Sequence, residues 1–163
     1  MHAHRLPPAA EPGRGMSGRS LLLSAAGVQI VLARLGCSTW WIPDLLLVAL
    51  ILSVAASPSR WLLYGIVAGG ISALWAVRVP WALWAANLLL AGLIRVGARH
   101  WDLSDARVQQ VLVGVANLLM RLWLVWLDDT WSLALVGPLL LQTGVTVLVV
   151  PLLNSWRHHP VSG

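Results

Sequence analysis

TWWIPDLLLVALIL, residues 39–52, sets two tryptophans, a proline and an aspartate ahead of eight aliphatic residues without a break. An acid at the threshold of so apolar a run needs a physical reason. Pro43 suits a first helical turn, where its missing N–H would be unpaired anyway. Asp44 beside it can accept from the free backbone donors of that turn and complements the positive end of the helix dipole. The stretch therefore predicts a helix over 43–56 that starts at the outer face of a membrane, with Trp41 and Ile42 recruited to lengthen it.

The same apolar character recurs along nearly the whole chain. Of 163 residues 58% are hydrophobic and 10% charged, with a mean hydropathy of +0.77, whereas soluble domains are roughly a quarter charged. This composition is that of an all-α membrane protein, with no room left for a soluble domain of ordinary size. The positive charge comes from arginine alone, spread over the ends of apolar runs. That distribution is a topology signal. Nucleic-acid binding would call for a clustered basic surface with interleaved aromatics. Cys37 is the single cysteine, which excludes an internal disulfide framework and a thiolate metal cluster.

Bounding the apolar runs by charges, prolines and tryptophans, against the roughly 17 to 25 residues that span a bilayer, yields six helices over 20–35, 43–56, 61–77, 81–96, 108–127 and 131–153. Residues 1–19 are Pro-, Gly- and Ala-rich at their start and read as a disordered tail, in which Met16 offers a second start. Residues 20–157 form the membrane domain and 158–163 a short tail. With the N-terminus inside, cytoplasmic segments hold Arg5, Arg14, Arg19, Arg60, Arg95, Arg99, Arg107 and Arg157, and outer ones hold Arg34 and Arg78. The excess of inside arginine predicts six spans with both termini in the cytoplasm of a bacterium, in its inner membrane. Trp40, Trp41, Trp61, Trp81, Trp101, Trp126, Trp131 and Trp156 fall near span ends, where amphipathic rings anchor at the headgroups.

Polar residues inside spans are costly and mark contacts. Gln110, Gly114, Asn117 and Arg121 follow at spacings of four, three and four, so they share one helix face that should look into the bundle. Arg121 has two main destinations, the outer headgroups by snorkelling or an acid within the bundle, with Asp44 best placed by depth. Gln142 and Thr146 share a face of the sixth span beside Thr143, and Asn87 lies on the fourth; these read as helix-to-helix glue. Gly65, Gly69 and Ser72 form a small-residue face containing GxxxG, which admits a closely approaching helix. Whether that helix belongs to this chain or to a partner stays open at this point.

Catalytic signatures are missing from the sequence: no HExxH, GxSxG or phosphate-cradling glycine loop. The histidines lie in the tails and one loop, and no cofactor or metal is expected. Arg14 and Arg19 ahead of an apolar run, with RLGC at 34–37, resemble a secretory or lipoprotein signal, but Arg34 stands where such a box carries an aliphatic residue.

Six short spans, WWIPDLLLVALIL at the second, YGIVAGGISAL at the third and LVVPLLNSW closing the last resemble the rod shape-determining protein MreD family across roughly residues 20–157. In that family the second helix opens with Pro, a polar residue and a Leu-rich run, matched by Pro43, Asp44 and Leu45 to Leu47; Gly65 and Gly69 match its paired glycines. One departure is Ala73, where the family commonly has Asp, which leaves Asp44 and Arg121 as the remaining charged pair. The resemblance implies a non-enzymatic scaffold of the cell-elongation and peptidoglycan-synthesis machinery. Its implied partners are an MreC-like protein, a RodA-like glycosyltransferase, a penicillin-binding transpeptidase and, indirectly, MreB, with membrane lipid around it. The alternative is the six-helix substrate-binding component of an energy-coupling-factor type transporter. Such a component should gather polar and aromatic groups near the outer helix ends and offer Ala-x-x-x-Ala on its first helix, a spacing that SLLLSAAGVQIVLARL lacks.

Overall fold

The structure, a computed structural model, describes residues 17–35, 42–75, 79–127, 129 and 132–158. Among these the chain is helical throughout and has no strand. Six α-helices follow in order: α1 Gly18–Arg34, α2 Leu45–Ala56, α3 Trp61–Trp75, α4 Pro80–Gly97, α5 Ala106–Leu127 and α6 Val136–His158. Short 3₁₀ turns at Pro58–Arg60 and Leu133–Leu135 precede α3 and α6. Residues 1–16, Cys37, Trp40, Trp41, Arg78, Asp128 and Trp131 lie outside the described residues.

The helix boundaries follow local chemistry. Ser17 caps α1 by accepting the Ser20 amide at 3.3 Å, so the helix begins ahead of the expected Ser20. Pro80 starts α4 at a position where no N–H is needed. α6 begins at Val136, later than expected, because the Ser132 hydroxyl first caps the 3₁₀ turn. It then runs through Pro151 to His158. Asp105 takes the Arg107 amide at 2.8 Å, starting α5 two residues ahead of the expected Val108. In the same loop the Ser104 hydroxyl and then its amide hold the Asp102 carboxyl below the usual carboxylate range.

α2 is the centre of the bundle. It packs against each of the other five helices, and every residue from Leu45 to Val54 is buried. That is why its sequence shows no polar face: a helix apolar all round is a helix surrounded. α3 and α4 form the most extensive pair, with α1 beside α2 and α3, and α5 with α6 close the other side.

The outward surface is apolar on the surrounding helices. Leu23 and Val31 on α1, Leu89 and Leu93 on α4, Val111 and Leu119 on α5, and Leu148 and Leu152 on α6 are all exposed. Polar side chains occupy the interior instead: Ser53, Asn87, Gln109, Asn117, Gln142 and Thr146 are buried. Water-soluble monomers expose no apolar surface on that scale. α4, α5 and the segment Leu133–Ser155 are each long and apolar enough to cross a bilayer. The chain is an α-helical membrane protein. Trp81, Trp101 and Trp126 are exposed near helix ends, as interfacial anchoring requires.

Candidate functional site

The start of α2 gathers side-chain hydrogen bonds from two other helices, α1 and α6. α2 has 12 residues, so at 1.5 Å per residue it is about 18 Å long and falls well short of a hydrocarbon core of about 30 Å. Its first turn lies inside the bundle. The Asp44 amide donates to Thr146 Oγ1 at 3.2 Å, and Thr146 is the eleventh of the 23 residues of α6. Asp44 is thus level with the middle of α6. The sequence places this motif at the outer face; burial of the first turn against α6 puts it deeper.

At such depth each unsatisfied backbone group costs several kcal/mol, because lipid offers no partner. All the exposed donors of the turn are accounted for. The Leu45 amide donates to the Pro43 carbonyl at 2.9 Å. The Leu46 amide donates to Gln29 Oε1 on α1 at 3.0 Å. The Leu47 amide donates to Asp44 Oδ1 at 3.0 Å, and the first helical bond, Val48 to the Asp44 carbonyl, is 3.1 Å. Gln142 Nε2 donates to the Ile42 carbonyl at 3.0 Å.

The aspartate is therefore the N-cap of a buried helix. Its φ of −78° and ψ of 78° are not helical, so Pro43 lies one residue before the cap and outside the first turn where the sequence places it. Ile42, likewise expected to extend the helix, is buried in the bend ahead of it. Gln29 is not among the polar positions that the sequence pattern assigns to helix contacts. Its signal is its position, a long polar side chain in the apolar second half of α1.

α6 supplies its partners with hydroxyl geometry that fits. Thr146 and Thr143 donate to the Gln142 and Leu139 carbonyls, each at 2.8 Å. With their protons turned back on their own helix, both hydroxyls accept: Thr146 from the Asp44 amide, Thr143 from Asn117 Nδ2 at 3.0 Å. The inward face of α5 is shifted from the expected one. Gln109, Val113, Ala116 and Asn117 are buried, while Gln110, Gly114 and Arg121 lie half-buried at its border. Gln109 Nε2 donates to the Leu103 carbonyl at 2.8 Å, closing the turn before α5. A loop carbonyl within reach, not helical spacing, decides which of the paired glutamines turns inward.

The small-residue face of α3 meets α4 of the same chain. A Cβ added at Gly65 would lie 3.0 Å from Leu88 Cδ1, and one at Gly69 would lie 2.9 Å from the Trp84 carbonyl oxygen. One turn on, Ser72 Oγ accepts from Asn87 Nδ2 at 3.2 Å, and Asn87 also donates to the Leu83 carbonyl at 2.9 Å. Ala73, adjacent, is half-buried.

Between these contacts a cavity of about 160 Å³ remains, lined on its polar side by Gln29, Asp44, Ser72, Asn87 and Arg121. Asp44 and Arg121 share it, yet no ion pair or hydrogen bond joins them among the described residues. At about 30 Å³ per molecule it has room for about five waters.

No family model, curated protein or solved structure matches this chain.

Proposed function

We propose that the chain is a non-enzymatic scaffold of the bacterial cell-elongation machinery, an MreD-like component spanning the inner membrane six times with both termini in the cytoplasm. The observation that carries the reading is the commitment of the internal polar side chains. Gln29 and Asn87 bond across to neighbouring helices, Gln142 and Thr146 hold the start of α2, and the Asp44 carboxylate caps it, while the outward surface is apolar and free to meet lipid and partner helices. The expected partners are an MreC-like protein, a RodA-like glycosyltransferase and a penicillin-binding transpeptidase, with MreB reached through them. Pro43, Asp44, Gly65, Gly69 and Ser72, the positions that carry the resemblance, act in this reading by shaping the bundle those partners contact.

The transporter reading draws on the cavity beside Asp44 and Arg121. Small-molecule pockets run from roughly 300 to 1,000 Å³, and about 160 Å³ falls below that range. Among the described residues, then, the space beside Asp44 is small for a solute. Purification of a tagged copy from native membranes in mild detergent, followed by mass spectrometry, tests the choice. MreC-like, RodA-like or transpeptidase partners are expected; paired ATPases with a membrane coupling subunit would sink the scaffold reading.

The topology has its own test. Cys37 is the sole cysteine and falls in the outer connection between the first two spans. A membrane-impermeant maleimide should label it on intact spheroplasts. Labelling only after lysis would reverse the orientation.

A further inference from the structure

We propose that the outward face of α4 binds an anionic phospholipid, with the phosphate at Arg95 and Arg99 and an acyl chain along the groove toward Trp84. A groove of about 650 Å³ lies there, open to the side, its apolar length formed by Trp84, Leu88, Leu89, Gly92 and Leu93 and its end by the two arginines. The volume falls inside the range of ligand sites. The length fits as well: Arg95 stands 11 residues beyond Trp84 on α4, a rise of about 16 Å, against about 15 Å for one leaflet of a 30 Å core.

Charge complementarity selects the occupant. Arg95 in the last turn of α4 and Arg99 in the turn just after it are exposed, line the same groove, and have no carboxylate partner among the described residues. The acids of the neighbouring loop are engaged locally: Asp102 accepts from the Ser104 amide and hydroxyl, and Asp105 from the Arg107 amide. The Arg95 guanidinium carbon sits 5.5 Å from the centre of the Trp61 ring, a cation–π contact that orients the group while leaving its N–H donors available. Gly92 completes the floor, since a Cβ there would approach the Trp61 ring to 3.3 Å. A zwitterionic lipid would satisfy the groove but not the paired charges. On the topology proposed above, the arginines lie in the cytoplasmic leaflet, where anionic headgroups attract basic residues.

Native mass spectrometry of the full chain, released from detergent carrying equal phosphatidylglycerol and phosphatidylcholine, tests the site without any protein partner. Bound phosphatidylglycerol should exceed phosphatidylcholine by about fivefold for each arginine engaged. Arg99→Gln, on an exposed turn after α4, should lower that ratio about fivefold, and Arg95→Gln with Arg99→Gln should bring it to parity. Gly92→Leu keeps both charges and should reduce retention of either lipid. Equal binding by the unaltered chain would overturn the proposal. So would a preference that survives the double substitution, retention untouched by Gly92→Leu, or displacement of the lipid by millimolar inorganic phosphate, which would mark an anion site with no acyl component. Each readout is independent of whether elongation partners co-purify, so the site and the scaffold reading fail separately.

Discussion

Leucine at Gly69 is expected to abolish the folded bundle, read as loss of the monodisperse peak in detergent gel filtration and of protease resistance. The obstruction is backbone. A Cβ at Gly69 would stand 2.9 Å from the Trp84 carbonyl oxygen and 3.1 Å from Trp84 Cα, so no rotamer change relieves it and α4 must move. At Gly65 the first obstacle is Leu88 Cδ1 at 3.0 Å, the end of a flexible side chain, with Ala91 Cβ at 3.1 Å and Leu88 Cα at 3.2 Å behind it, none as close as the carbonyl at Gly69. Alanine should then rank the two sites: at Gly65 a partial loss, at Gly69 a larger one, within the roughly 1–3 kcal/mol typical of overpacked contacts. The movement does not stop at α3 and α4, because Ser72 and Asn87 bond across the same seam and α2 packs on both helices. Gly70, with nothing within 4 Å of its added Cβ, is the control and should accept alanine. A Gly69→Leu chain that purifies as well as the parent would show that α3 and α4 do not meet along this face.

Why these contacts were partly legible in the sequence follows from the kind of signal each carries. Helix existence rests on apolar run length and its punctuation, and all six runs return as helices with ends displaced by a few residues. The displacements have local causes: Ser17 and Asp105 capping earlier than the apolar pattern begins, Ser132 diverting the chain into a 3₁₀ turn. GxxxG foretells a close helix but holds no information on which one; α4 is identified only by the Trp84 and Leu88 contacts. The Asp44 cap was readable because capping is local. Its depth was not, since tertiary packing brings Thr146 to the Asp44 amide from 102 residues away and Gln29 to the Leu46 amide from 17. Gln109 turns inward ahead of Gln110 for the same reason, the Leu103 carbonyl being a partner no periodicity reveals.

Reversing the charges of Asp44 and Arg121 together is expected to leave the bundle as damaged as Asp44→Arg alone. If the two formed the ion pair that their sequence positions allow, the double reversal would recover part of the folded yield. The geometry separates two roles that this logic merges. Asp44 Oδ1 accepts the Leu47 amide at 3.0 Å, a cap that arginine cannot make at any charge state because it has no acceptor. Asp44→Asn keeps the acceptor and removes the charge, and asparagine caps as well as aspartate. It should stay within a few tenths of a kcal/mol of the parent. Asp44→Ala should lose about 1–2 kcal/mol, at the upper end for caps because the orphaned amide faces no water. Arg121, half-buried at the border of α5 and without an ion pair to Asp44, should tolerate glutamine. Thermal midpoints of the purified variants in one detergent would order them: parent, Asp44→Asn and Arg121→Gln together, Asp44→Ala below, Asp44→Arg and the double reversal lowest. Recovery in the double reversal, or a collapse of Asp44→Asn to the level of Asp44→Ala, would mean that charge across the cavity, and not the hydrogen bond to Leu47, is what holds the central helix in place.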